Sequence, residues 1–144
     1  IVSDSSRPGA ATRREETMPT VLVVDDDDDV RMVTCLSLSK VGGWDVLEAS
    51  RGREAIEVAH SARPDAILLD LMMPEMDGIT TFGHLQDDPA TRDIPVVLLT
   101  AKSHVGPTQP WDGLAVAGVL AKPFSPMELP RDVAALLGWS PPGA

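Results

Sequence analysis

Three short apolar runs rich in β-branched residues constrain the fold of this chain more than any other feature. They are TVLVV (20–24), DAILL (65–69) and IPVVLL (94–99), and each is bounded by polar residues or proline. Continuous apolar runs of this length are typical of strands in a parallel sheet, because helices cover both faces of such a sheet. The sequence therefore predicts a parallel-sheet core.

Further strand and helix patterns alternate along the chain. WDVLEA (44–49) alternates apolar and polar residues as an edge strand does, and GVLA (118–121) is a candidate fifth strand. Segments of helical character lie between the strands, at Val30–Val41, Arg53–His60 and Ile79–Leu85. This order predicts right-handed crossovers and an open, doubly wound α/β sheet, whose ligand sites lie at the carboxyl ends of the strands.

The last helix carries both start and stop signals. Ser125, Pro126 and Glu128 match an N-cap, a first-turn proline and the glutamate of a capping box, which predicts a helix that begins there. Gly138 is placed to end it.

The charge of the chain limits its partners. It has 22 acidic and 12 basic residues and a formal net charge of -10. Nucleic acids and acidic membranes bind basic surfaces, so proteins and small ions are the expected partners. No apolar run approaches the ~18 residues that a membrane-spanning helix requires.

The chain is expected to form one domain with two tails. Residues 1–17 contain little that could enter a core and are predicted to be a disordered tail, and Met18 is an alternative start. The domain is expected to span residues 18–138, followed by a short tail at 139–144.

Polar residues follow the core strands at the predicted ligand-binding edge. Three carboxylates brought together repel one another unless a proton or a hard cation lies among them, and Mg²⁺ is the natural choice. A phosphoryl group there would contact the metal, an ammonium group and a hydroxyl donor. The residues are Asp25 and Asp26 after the first strand, Asp70 after the third, Thr100 after the fourth and Lys122 after the fifth.

Asp70 is the best candidate nucleophile in this set. A carboxylate that attacks phosphorus forms a reactive acyl phosphate, which is suited to a reversible mark. Asp70 follows the central strand of the predicted sheet, and the loop LMMPEMDG comes after it. By contrast, Asp27, Asp28 and Asp29 are interpreted as a solvated acidic turn or as favourable charges at a helix N-terminus.

Four motifs carry a family resemblance: VLVVDDDDDVR, PDAILLDLMMPEMDG, IPVVLLTA and VLAKPF. In this order and spacing they resemble the receiver domain of bacterial two-component response regulators, over about residues 18–138. The resemblance implies a flavodoxin-like fold with strand order 2-1-3-4-5. It also implies a protein that takes a phosphoryl group from a histidine kinase or a phosphotransfer protein, with Mg²⁺ or Mn²⁺ bound. The lone cysteine, Cys35, cannot form a disulfide within the chain and is expected to be a small buried residue in a reducing cytoplasm.

The same resemblance assigns roles to individual residues. Such a domain catalyses only its own phosphorylation and dephosphorylation, and is not otherwise an enzyme. The implied roles are phosphorylation of Asp70, direct metal ligation by Asp26, ligation mainly through water by Asp25, ligation by the carbonyl of Met72, phosphate sensing by Thr100 and Lys122, and a cis peptide bond before Pro123.

The chain departs from the family pattern near its fifth strand. Receiver domains commonly place an aromatic residue three positions before the lysine, where its orientation reports phosphorylation, but Val119 stands there. Met72 and Lys102, two positions after Asp70 and Thr100, would flank the path of a hydrolytic water and tune dephosphorylation.

The segment that would form the family's fourth helix is interrupted by helix-breaking residues. Gly106, Pro107, Pro110 and Gly113 all lie in it. Each proline removes a backbone donor and clashes with the preceding turn, so a short or irregular element is expected.

Two other functions stay open at this point. One is a small aspartate-nucleophile phosphatase of the haloacid dehalogenase type, in which Asp25 would attack and Asp27 would act as acid and base. The other is a degenerate receiver that serves only as an interaction module. With no output domain expected after Gly138, the favoured receiver would act through contacts with a separate protein.

Overall fold

The computed structural model describes residues 18–101 and 108–140. Its strands form one parallel sheet in the order β2-β1-β3-β4-β5, which confirms the predicted topology. The strands are β1 (Thr20–Val24), β2 (Asp45–Ala49), β3 (Ala66–Asp70), β4 (Val96–Ala101) and β5 (Gly118–Lys122).

Helices alternate with most of these strands, close to the predicted segments. None of them, within the described ranges, is long and apolar enough to cross a membrane. They are α1 (Asp28–Leu36), which continues as a π-helical segment (Ser37–Val41), α2 (Gly52–Ala62), α3 (Gly78–Asp87) and α4 (Leu129–Leu137).

The buried strand residues divide into two apolar layers, one on each face of the sheet. Side chains alternate between the faces of a strand, so Leu22 and Val24 face one layer while Val21 and Val23 face the other. The first layer contains α2 and α3, and the second contains α4 and the π-helical segment. Burial on both faces explains why the central strands read as continuous apolar runs.

The segment before β5 is irregular, as its prolines predict. Residues 110–113 form a turn, and no helix is found among residues 108–117. Trp111, Leu114 and Val116 are partly buried and pack against the layer that contains α2 and α3. Gly106 and Pro107 lie outside the described residues.

The last helix begins later than its start signals predict. α4 starts at Leu129, and the main-chain oxygen of Ser125 accepts hydrogen bonds from the N–H groups of Glu128 and Leu129 at 3.0 and 2.9 Å. Pro130 explains the shift, because a helix that began at Ser125 would require an N–H that proline lacks. The carbonyl of Pro126, which Pro130 leaves without that donor, accepts a hydrogen bond from the Ser37 hydroxyl instead.

The end of α4 agrees with its predicted stop signal. Gly138 closes the helix in the left-handed region, with φ 74°. Trp139 then packs edge-to-face on the buried Trp44, with ring centroids 5.3 Å apart. Ordered packing therefore continues one residue past the expected boundary at 138.

Candidate functional site

Three carboxylates converge at the carboxyl edge of the sheet. β1 and β3 are neighbours, with Val24 opposite Leu69, so the residues that follow these two positions lie side by side. Oxygen atoms of Asp25, Asp26 and Asp70 all lie within 4.8 Å of one another. Asp25 and Asp70 are buried, whereas Asp26 is exposed.

The ammonium group of Lys122 bridges the two buried carboxylates. Its Nζ lies 3.2 Å from Asp25 Oδ2 and 3.2 Å from Asp70 Oδ1. The peptide bond between Lys122 and Pro123 is cis. Since β4 lies between β3 and β5, the lysine side chain must cross the end of one strand to reach Asp70.

Burial and charge shift the pKa values of these groups. Burial, reinforced by the negative charge of Asp25, raises the pKa of Asp70 to about 6, although Lys122 acts in the opposite direction. Burial alone would lower the pKa of Lys122, but the charges of Asp70 and Asp25 outweigh that effect and raise it. An ionised Asp70 is therefore held in the site at a cost in stability.

The donor set fits a divalent cation. Three carboxylates and one ammonium leave a net charge of -2, which one divalent ion would balance. Carboxylate oxygens are the ligands that Mg²⁺ prefers. Asp25, Asp26 and Asp70 are thus the residues that would hold it. The side chain of Met72 is exposed, and ligation by its carbonyl stays a prediction.

The other predicted site residues take less direct positions. Thr100 is buried at the end of β4, and its hydroxyl donates a hydrogen bond to the carbonyl of Ala101 at 3.3 Å. Val119, on β5, lies opposite Leu98 of β4 and is partly buried. Phosphate sensing by Thr100 stays a prediction, and Lys102 lies outside the described residues.

The remaining aspartates of the acidic run belong to the start of α1. Asp27 is the N-cap, and its carboxylate accepts hydrogen bonds from the N–H groups of Asp29 and Val30 at 3.0 and 3.1 Å. Asp28 and Asp29 lie in the first turn, where negative charge is favourable. Their interpretation as helix N-terminal charges is confirmed.

Two residues that support the site were missed from the sequence. Arg31 donates a hydrogen bond to the backbone carbonyl of Asp25, and Gly78 lies against the backbone of Asp70. The only hints were an arginine two residues after the acidic run and an Asp-Gly pair at the end of the loop that follows Asp70. Neither pattern identifies a tertiary contact.

Asp70→Asn is expected to stabilise the metal-free protein above pH 6. Because the folded state raises the pKa of Asp70 from 3.8 to about 6, it binds that proton more tightly than the unfolded state does. Ionisation of Asp70 therefore lowers stability as the pH rises through this range, and asparagine avoids the loss. Screening by water that reaches the exposed Asp26 and the partly exposed Lys122 reduces the expected gain to about 1–2 kcal/mol.

Urea unfolding in EDTA at pH 7.5 and pH 4 measures this gain, most of which should be lost at the lower pH, close to the unfolded pKa of 3.8. Excess Mg²⁺ should reverse the order at pH 7.5, because it binds the wild-type site more tightly. A variant less stable than wild type in EDTA at pH 7.5 would contradict the prediction.

The fold and the site together define a class of protein: a doubly wound α/β domain with a lysine-bridged cluster of aspartates at its topological switch point. The family described as the response regulator receiver domain matches residues 21–134. The chain belongs to this family.

Similar proteins agree with this assignment. The phosphate regulon transcriptional regulatory protein PhoB of Pseudomonas aeruginosa is 37% identical over 126 residues, which cover 86% of this chain and 54% of PhoB. The chain spans about half the length of the curated relatives it matches.

Solved structures show the same fold. The chemotaxis response regulator CheY4 of Vibrio cholerae aligns with a TM-score of 0.76 and 31% identity, over 83% of this chain and 99% of CheY4. The receiver domain of the sensor histidine kinase PA1611 of Pseudomonas aeruginosa aligns with a TM-score of 0.72 and 27% identity, over 85% and 99% of the two chains. That structure has a magnesium ion coordinated in its active-site cleft.

Proposed function

We propose that this chain is a phosphoacceptor receiver that takes a phosphoryl group onto Asp70 from a histidine kinase or a histidine phosphotransfer protein in the cytoplasm. The observation that carries the proposal is the buried Asp70 carboxylate, 3.2 Å from the Lys122 ammonium and beside two further carboxylates. Membership of the receiver family supports the same role. Residues 18–138 are the proposed functional unit.

The transfer needs a nucleophile, positively charged groups around the phosphoryl oxygens, and a leaving group. An Asp70 oxygen attacks phosphorus, and the bond from phosphorus to the donor's histidine nitrogen breaks with its electron pair left on nitrogen. Mg²⁺ or Mn²⁺, held by Asp25, Asp26, Asp70 and the Met72 carbonyl, would neutralise charge on the phosphoryl oxygens. The Lys122 ammonium would also neutralise charge on these oxygens.

The mark would be read through Lys122, which now pairs with Asp70, and through the Thr100 hydroxyl, which now donates to the Ala101 carbonyl. Once Asp70 carries a phosphoryl group, Lys122 and the Thr100 hydroxyl are the proposed partners of its oxygens, so their present contacts must change. Val119 places no aromatic ring at the family's reporting position. The charge change would shift a two-state equilibrium, and the output would be contact with a downstream protein.

The phosphatase alternative is disfavoured. It requires Asp27 as acid and base, but the Asp27 carboxylate is engaged at the N-terminus of α1. The family match also covers the whole segment that contains Asp25, Asp27 and Asp70.

Phosphorylation with acetyl phosphate and Mg²⁺ tests the proposal. We expect a hydroxylamine-sensitive adduct on Asp70 by mass spectrometry, lost in Asp70→Asn and in EDTA. Label on Asp25, or label that survives in Asp70→Asn, would overturn it. A folded protein that binds Mg²⁺ but takes no label would identify the degenerate interaction module instead.

A further inference from the structure

Arg31 joins the loop that carries the acidic residues to two other elements. Its Nη1 donates to the backbone oxygen of Asp25 at 2.8 Å, its Nη2 to Asp28 Oδ1 at 2.7 Å and its Nε to Glu48 Oε1 at 3.1 Å. These acceptors belong to the β1–α1 loop, the first turn of α1 and strand β2. The Arg31 side chain is only 16% exposed, but its partners Asp28 and Glu48 are 82% and 56% exposed. The bond to the Asp25 carbonyl is part-buried and is therefore the best shielded of the three.

The bond to Asp25 acts on the peptide group between the two metal-ligand candidates. The carbonyl of Asp25 belongs to the planar peptide bond that joins it to Asp26, so holding this oxygen limits rotation on both sides of the plane. Asp25 is fixed on its other side by its own N–H, which donates to the carbonyl of Ala49 at 3.2 Å. Asp26 is exposed, so packing does little to hold its side chain, and the backbone is what sets the position of its Cβ atom.

We propose that Arg31 is a positioning residue for the metal site, which sets the geometry of the Asp25 and Asp26 carboxylates by fixing the peptide bond between them. This inference rests on the proposed function, because the metal is the one that phosphoryl transfer would use. Arg31 acts through Asp25 and Asp26, and its proposed role involves no contact with the reacting atoms. Groups that orient metal ligands typically change metal affinity 10–100-fold when removed.

The shape of the guanidinium group matters as well as its charge. Three nitrogens of one planar fork reach three acceptors on different elements, and a lysine ammonium on a flexible stem does not reproduce that arrangement. Arg31→Lys therefore separates geometry from charge. If charge alone supported the site, the lysine variant would behave as wild type.

Mn²⁺ binding, measured by electron paramagnetic resonance, tests the inference on the full chain. We expect Arg31→Met to weaken Mn²⁺ binding about 10–100-fold and Arg31→Lys to lie nearer to Met than to wild type. Arg92→Met is the matched control, since the Arg92 side chain is exposed in the loop before β4, at the opposite edge of the sheet. Circular dichroism and urea unfolding establish that each variant is folded under the assay conditions.

The Mg²⁺ dependence of acetyl phosphate labelling gives a second readout. A positioning role raises the Mg²⁺ concentration for half-maximal labelling by a similar factor in Arg31→Met, while the rate at saturating Mg²⁺ stays within about threefold of wild type. General structural damage would instead lower the rate at every Mg²⁺ concentration.

The outcomes separate the two proposals. Wild-type Mn²⁺ affinity in Arg31→Met, wild-type affinity in Arg31→Lys, or a reduced labelling rate at all Mg²⁺ concentrations would overturn the inference about Arg31. Wild-type protein that binds Mn²⁺ but takes no label would overturn the proposed function alone, and the Mn²⁺ titrations would still decide the role of Arg31. Wild-type protein that binds no Mn²⁺ would overturn both.

Discussion

Lys122→Met is expected to destabilise the metal-free protein by about 2–3 kcal/mol at pH 7.5. The lysine ammonium lies 3.2 Å from the nearest oxygen of each of two buried carboxylates, Asp25 and Asp70, and methionine would leave their charges facing each other. The loss is smaller than for a fully enclosed pair because the lysine side chain is 22% exposed.

The sign of the pH dependence follows from the same contacts. Lys122 lowers the pKa of Asp70, so its removal should raise that pKa above its present value of about 6. The unfavourable charge in Lys122→Met is then lost as the pH falls, and part of the stability should return between pH 7.5 and 5.5. Excess Mg²⁺ should recover most of it at pH 7.5, because the cation replaces the missing positive charge.

Urea unfolding followed by tryptophan fluorescence, in EDTA and in Mg²⁺, measures both effects. Lys40→Met is the control, because Lys40 is exposed on the π-helical segment and the change in charge is identical. Equal stability of the two variants in EDTA would show that Lys122 does not hold the two carboxylates together.

Gly78→Ala and Gly83→Ala are expected to change stability in opposite directions, although both glycines lie on α3. A Cβ atom at Gly78 would lie 2.6 Å from the backbone oxygen of Asp70 and 2.9 Å from the Cα of Leu71. These are backbone atoms, so relief of the overlap must move the backbone at Asp70 and Leu71. A loss of about 2–3 kcal/mol and slower labelling of Asp70 should follow.

At Gly83, by contrast, nothing lies within 4 Å of the added Cβ. Alanine there should stabilise the helix by about 0.5–1 kcal/mol, because it has the higher helix propensity. Urea unfolding of the two variants measures the difference. Destabilisation of equal size at both positions would mean that the close approach to Asp70 has no special role.

Much of the fold could be predicted because local patterns and tertiary environment agree. The runs at 20–24, 65–69 and 94–99 are apolar throughout because the strands are covered on both faces, and the structure places them at the centre of the sheet.

The start of α4 was predicted wrongly. The capping pattern around Ser125 forms the first i→i−4 bond, from the Leu129 N–H, but the missing N–H of Pro130 interrupts the series, so the continuous helix starts only at Leu129.

Most residues of the candidate site could also be predicted, because the order of the parallel strands decides which residues lie at the edge of the sheet. Parallel strands end at one edge, so polar residues directly after them must meet, and Asp25, Asp26, Asp70 and Lys122 do. The sequence alone thus determined that a parallel sheet forms and which side chains converge at its edge. The order of the strands followed from the resemblance to receiver domains.

Only the tertiary structure decided how those groups are held. Lys122 bridges Asp25 and Asp70, Arg31 holds the peptide bond beside Asp25, and Gly78 allows α3 to approach the Asp70 backbone. These contacts depend on the distances between elements that are remote in sequence and on how closely they pack. A periodic pattern records which face of an element is buried, but it contains no information about which atoms meet there.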